Sequence, residues 1–202
     1  MNAVLKKKFV RQHEANECAA ACLTTILNLF GCSLPLIAVR EKIKMDKNGA
    51  SVLAIVKTAE IFHLKTNAYQ TDWDELYNEV QKKHVHLPLM VHIVNEDQQY
   101  HFIVVYKIRK NKVYIFDPGK GILSYSVDIF DRMWTGVVLA FQKTEDFSND
   151  QYKIQHYSWC TELIKSQSSK LSLLMFLALM ICCLSIVVSF GYQSLIDIYL
   201  IK

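Results

Sequence analysis

Cys18 is the side chain best placed to act as a nucleophile, since it falls at the second position of a predicted helix that opens after the candidate N-cap Asn16. Unpaired backbone N–H groups and the positive end of the helix dipole favour an anionic sulfur at such a position. Most free cysteines are instead small core residues, and that is the expected role of Cys22 and Cys32, which lie deeper in or beyond the same helix. Gln12 stands six residues before Cys18. From there its amide can fold back beside the helix start and donate to an oxyanion together with the backbone N–H of Cys18.

A thiol needs a base, and the base needs an orienting group. His101 opens an apolar strand, and Asp117 closes the next one in Phe116-Asp117-Pro118-Gly119. Taken singly, the first is a strand-end residue and the second a turn residue. With an odd-length hairpin loop such as Arg109 to Asn111, Asp117 falls opposite Ile103, on the face that carries His101 and diagonal to it. An even loop would separate them. If they share a face, His101 takes the thiol proton while Asp117 orients the imidazole and stabilises its charged form. His92, at an apolar position of a neighbouring strand, is the rival base; His13, His63, His84, His86 and His156 read as surface or packing residues.

The elements that must position these groups are readable from hydrophobic period. Apolar residues at 19, 22, 23, 26, 27 and 30 make a helical stripe stopped by Gly31, Ala50 to Phe62 repeats that period, and Trp73 to Lys83 follows a Thr71-Asp72 capping start. The period then changes. His86 to Val94, Tyr100 to Ile108, Lys112 to Phe116 and Trp134 to Phe141 are β-branched or aromatic runs separated by polar turns, the pattern of an antiparallel sheet. Helices first and strands after define an α+β domain over residues 1–144.

Residues 145–170 read as a polar linker, and from Leu171 to Ile196 there are 26 residues without a charge. About twenty already cross a hydrocarbon layer, so 171–196 is expected to be one transmembrane helix, with 197–202 a short tail. Lys153, Lys165 and Lys170 before the span, against Lys202 after it, place the first part of the chain on the cytoplasmic side of a cell membrane in a single-pass arrangement. That compartment is reducing, so the six cysteines are not expected to form a disulfide framework. Cys18-x3-Cys22 has no second pair at zinc spacing, and neither a metal nor a cofactor is expected. A net charge of +4 argues against nucleic acid, no phosphate-cradling G-x4-GK[ST] occurs, and no apolar run of signal-peptide type follows Met1.

With these residues in view, the stretches Gln12 to Leu23 (QHEANECAAACL), Asn48 to Ser51 (NGAS), His101 to Ile108 (HFIVVYKI), Phe116 to Gly121 (FDPGKG) and Trp134 to Phe141 (WTGVVLAF) resemble the N-terminal peptidase domain of peptidase-containing ABC transporters, the exporters of bacteriocins and peptide pheromones. Ser189 to Lys202 looks like the end of the first membrane helix of such exporters. The resemblance implies a papain-like cysteine peptidase that cuts a double-glycine leader from a precursor peptide as the peptide is exported. Carried over by position, Cys18 is the nucleophile, His101 the base, Asp117 the orienting acid and Gln12 the oxyanion donor. The implied partners are the precursor peptide and the membrane and ATPase parts of the transporter, which this chain lacks, with a homodimer formed through the transporter. A leader-binding domain without catalysis is the alternative.

Two residues depart from the family pattern: Ala19 stands where glycine is usual and Glu17 where aspartate is common. The added Cβ of Ala19 is expected beside the scissile carbonyl. The chain stops near the end of the first membrane helix, which reads as a fragment, a split subunit or a truncated frame. The resemblance also implies that the leader docks as an amphipathic helix, for which Leu53, Val56 and Phe62 are candidate groove residues against an ordinary core role.

Overall fold

A computed structural model describes residues 7–46, 49–147 and 168–200, in two units that divide the chain at 1–154 and 155–202. In the first unit a 3-10 turn, Ala15–Glu17, runs directly into helix α1, Cys18–Phe30. Then come α2 (Leu36–Arg40), the two-residue strands β1 (Met45–Asp46) and β2 (Gly49–Ala50), α3 (Val52–Ile61), β3 (Leu64–Gln70) and α4 (Trp73–Gln81). Strands β4 (Leu89–Val94), β5 (Tyr100–Arg109), β6 (Lys112–Asp117) and β7 (Gly121–Ser126) follow, then α5 (Val127–Met133) and β8 (Trp134–Lys143). The large sheet is antiparallel, in the order β3-β8-β4-β5-β6-β7.

The central strands are apolar on both sides because both faces are covered. Phe102, Val104 and Phe116 face the core built with α1, α2 and α3, whereas Ile103, Val105 and Ile115 belong to a second core with Leu76 of α4 and Phe130 of α5. Every residue of α1 from Cys18 to Asn28 is buried, and Ala19, Ala20 and Ala21 are wholly inaccessible. Three small side chains let the start of this helix pass close to its neighbours. Gly31 ends the helix at φ 104°, a left-handed turn that costs glycine little.

Ser51 and Asp72 cap α3 and α4, each accepting a backbone N–H three residues on. Asn16 does not cap α1. It lies within the 3-10 turn, so α1 begins at Cys18 itself, one residue later than the expectation.

In the second unit, helix α6 spans Ser168–Leu200, and Ser172–Ser194 within it is long and apolar enough to cross a membrane, with mean hydropathy 2.8 over its most apolar stretch. The helix takes in residues 168–170, assigned above to the linker, and 197–200, assigned to the tail. Linker residues 148–167, with Lys153, His156, Cys160 and Lys165, lie outside the described residues, as do Asn48 and Lys202.

Candidate active site

Cys18 is the first residue of α1 and is 7% exposed. Asp117, last residue of β6, is buried, and His101, near the start of β5, is half-buried. The imidazole Nε2 of His101 lies 3.0 Å from Oδ1 of Asp117. The same oxygen accepts the backbone N–H groups of Gly119 at 2.8 Å and Lys120 at 3.1 Å, so the turn after β6 holds the carboxylate before the histidine reaches it.

The route to this pairing differs from the expected one. The pairing Arg109↔Lys112 leaves a two-residue loop, Lys110-Asn111, whose even length alone would send His101 and Asp117 to opposite faces. A β-bulge between Val105 and Lys107 restores the parity: pairing passes from Lys107↔Tyr114 to Val105↔Ile115 and Val104↔Phe116, which continues to place Asp117 level with Ile103. One extra residue in β5, Tyr106, replaces the odd loop.

Burial alone would push the His101 pKa down, but the hydrogen bonds with Asp117 and Cys18 and the charges of both raise it to about 9. The imidazole is therefore a cation at neutral pH, positioned to balance a thiolate. With Nε2–H given to Asp117, Nδ1 is the ring nitrogen left for the sulfur. Burial likewise opposes ionisation of Asp117, yet the hydrogen bond and charge of His101 and the N–H groups of Lys120 and Gly119 hold it below the usual carboxylate range.

Gln12 is carried to the same place by the main chain. Its N–H donates to the carbonyl of Pro118 at 3.1 Å, and a Cβ placed on Gly119 would lie 3.8 Å from Gln12 Nε2. The four predicted side chains thus come from the segment before α1, the start of α1, β5 and β6, and the turn Pro118–Gly119 links the acid to the amide.

The rivals are otherwise engaged. Thr135 donates its hydroxyl to the carbonyl of His92 at 3.0 Å, and its oxygen accepts from Nδ1 of that ring at 3.0 Å. The ring packs between Tyr100 and Phe102, and burial first, then the charge of His101, hold the His92 pKa down. Cys22 donates to the carbonyl of Phe102 at 3.2 Å, and burial raises its thiol well above the ordinary value, with Cys18 and Asp117 adding to the rise. Cys32 is buried and its thiol is also raised. Among the described residues no group of three or more His, Cys, Asp or Glu could hold a metal ion.

Ala19 corrects an expectation. It is 0% exposed and belongs to the core, so its Cβ does not line the cleft. Glu17, noted in the sequence only as a departure from the family pattern, has a structural role that its neighbours reveal. Its carboxylate is 0% exposed, accepts the N–H groups of His13 at 2.9 Å and Glu14 at 3.0 Å, and faces Arg40 Nη1 at 2.8 Å. Burial opposes its charge, but those two N–H groups, Arg40 and His13 hold its pKa below the usual value. The Glu14-x2-Glu17 spacing of a capping box was the available signal.

Residues 6–146 match the family model described as Peptidase C39 family. The chain is similar to the lactococcin-G-processing and transport ATP-binding protein LagD of Lactococcus lactis subsp. lactis, 29% identical over 191 residues that make up 95% of this chain and 25% of that protein. It is also similar to the pediocin PA-1 transport/processing ATP-binding protein PedD of Pediococcus acidilactici, 26% identical over 96% of this chain and 26% of that protein. The chain thus spans about a quarter of the length of the curated relatives it matches. Among solved structures, a double glycine motif protease from an AMS/PCAT transporter, crystallised with its leader peptide, superposes with TM-score 0.59 and 30% identity over 67% of this chain and 90% of that one. The peptidase domain of Streptococcus ComA superposes with TM-score 0.61 at 24% identity over 67% of this chain and 97% of that one, a likeness of fold.

Fold and likeness together define a cysteine peptidase of papain-like architecture. The chain belongs to the Peptidase C39 family.

Proposed function

We propose that residues 1–144 form a peptidase that removes double-glycine leaders, with Cys18, His101, Asp117 and Gln12 as its catalytic set. The carrying observation is the 3.0 Å His101–Asp117 pair, with the Cys18 thiol at the start of α1 acting on the same imidazole. In this reading the Cys18 thiolate attacks the carbonyl carbon of the second glycine. The resulting oxyanion takes hydrogen bonds from the Cys18 N–H and the Gln12 amide. Imidazolium His101 gives its proton to the departing amine as the C–N bond breaks, leaving a thioester. Neutral His101 then takes a proton from water, the hydroxide adds to the thioester, and the leader leaves as a carboxylate with Cys18 regenerated.

Two glycines offer little to grip, so discrimination falls to a narrow cleft and a remote contact. Of the expected groove residues, Phe62 is core at 3% exposure and Val56 packs against that core, while Leu53 is 62% exposed. A better seat for an amphipathic leader helix is the cavity of about 730 Å³ lined by Leu29, Leu87, Pro88, Tyr106, Tyr114 and Ile122. Leu29 sits eleven residues along α1 from Cys18, or about 16 Å at helical rise, so about three turns of leader helix reach it from the cut.

The names of the relatives, which join processing to ATP-binding transport, support a role beside the membrane and ATPase parts of an exporter. Helix α6 would anchor the peptidase on the cytoplasmic side in a single pass, as the lysines before the span favour. The test is to incubate the chain, in detergent, with a precursor peptide and weigh the products. A single cut after Gly-Gly is expected; an uncut peptide or a cut elsewhere contradicts the reading.

A further inference from the structure

A wholly buried carboxylate one residue before the candidate nucleophile is an expensive choice for a helix start, because burial disfavours its charge and a negative charge there opposes formation of a second one on the sulfur. A neutral Ser or Asn can cap a helix without either penalty. Glu17 nonetheless keeps its charge inside the protein, and the groups around it show what it holds: Oε2 is hydrogen-bonded, whereas Oε1 has no hydrogen-bond partner among the described residues and meets Arg40 as an ion pair. Oε2 takes two consecutive backbone N–H groups, of His13 and Glu14, while Oε1 faces Arg40 Nη1 at 2.8 Å and Arg40 Nη2 reaches Glu14 at 3.1 Å. Arg40, brought in from the last residue of α2 and shared with Glu14, supplies the counter-charge to Glu17 inside the protein.

The bound N–H groups are those directly after Gln12. On its other side, the N–H of Gln12 donates to Pro118 in the turn that holds Asp117. Gln12 is therefore clamped through the peptide before its Cα and through the peptide after it, one clamp belonging to the acid's turn and the other to the 3-10 turn that leads into the nucleophile's helix. Its Oε1 is buried without a hydrogen-bond partner among the described residues. With that end of the amide untethered, the clamped main chain is what sets where the side chain starts, at Cα and Cβ. An oxyanion donor must sit within a few tenths of an ångström to be effective.

We propose that Glu17, neutralised by Arg40, is a positioning residue for the oxyanion site: it fixes the backbone after Gln12 so that the amide meets the scissile oxygen. The inference rests on the assignment of Gln12 as oxyanion donor in the proposed function.

The test is a double-mutant cycle on the whole chain in detergent, with a precursor peptide as substrate. Glu17→Gln should lower kcat by about 10- to 100-fold with KM nearly unchanged, and Glu17→Asp, which keeps the carboxylate, should recover part of that loss. Affinity for a leader peptide ending in Gly-Gly-aldehyde, whose adduct carries an oxyanion, should fall in step with kcat. Alkylation of Cys18 by iodoacetamide uses the thiolate but no oxyanion site, and its rate should stay within about twofold of wild type. In a Gln12→Ala background, Glu17→Gln should cost less than about twofold more, since the residue it positions is gone.

A Glu17→Gln loss that persists undiminished in the Gln12→Ala background overturns the proposal, as does a parallel fall in iodoacetamide alkylation or an unchanged kcat. Should Glu17→Gln fail to fold by circular dichroism, Arg40→Gln, which strips the clamp of its counter-charge, enters the same cycle with the same criteria. A Gln12→Ala variant with full kcat would instead defeat the oxyanion assignment itself, a separate failure.

Discussion

At the scale of single residues the site is a matter of which charges the protein holds against burial. His101 is charged in the folded state up to about pH 9 because Asp117 and Cys18 outweigh its desolvation. A thiolate–imidazolium pair acts as one unit, so Cys18→Ala should abolish cleavage while leader binding persists, His101→Ala should lose a comparable rate, and Asp117→Asn should lose less. Steady-state kinetics and a binding titration check all three. The pH dependence follows from the direction of the shift: activity that needs charged His101 is lost as pH rises through about 9, and Asp117→Asn should move that limb to lower pH by removing the group that raises it. Stability carries the same sign. A histidine raised on folding stabilises fully below about pH 6.5 and loses that contribution as pH climbs through about 9. Asp117, lowered on folding, stabilises above its ordinary value and loses that as pH falls through its depressed one. Thermal melts of wild type, His101→Ala and Asp117→Asn across pH should show both limbs in the first alone.

At the scale of elements, α1 decides what Ala19 does. Its methyl group is inaccessible and packed, so Ala19→Gly should not raise kcat/KM, and it should cost on the order of 1–2 kcal/mol from lost helix propensity and a lost core methyl, read from chemical denaturation. An increase in kcat/KM would place the Cβ in the cleft after all. The same scale shows what was legible in the sequence. Helices α1, α3 and α4 and strands β4, β5, β6 and β8 announced themselves by period and by caps such as Asp72, because each buries a regular face. Strand β3, LKTNAYQ, did not, since it is an edge strand held by β8 alone and has few β-branched residues. Elements as short as α2, β1 and β2 have no period to read, and β7 and α5 are short elements joined directly to each other with no polar break between them. The four catalytic candidates were readable by type and spacing. The bulge at Tyr106 that lets His101 reach Asp117 was not, because nothing local in YHFIVVYKI marks which residue is left over in the pairing.

At the scale of the whole molecule, the proposed function couples a narrow cleft at Cys18 to a groove about three helical turns away. Replacing apolar anchors of the leader helix by alanine should mainly raise KM, each costing on the order of 1 to 3 kcal/mol, whereas enlarging either glycine should destroy kcat/KM. Tyr106→Ala, in the groove lining, should mimic loss of an anchor; an unchanged KM would remove the groove from the account. Everything else depends on the claim that the sulfur of Cys18 carries the leader during turnover. Rapid acid quench of the full chain mixed with precursor, followed by intact mass and peptide mapping, tests it directly. The expected result is an adduct heavier by the leader minus one water, on the peptide containing Cys18 and absent from Cys18→Ala. An adduct on Cys22, or cleavage that persists in Cys18→Ala, would contradict it.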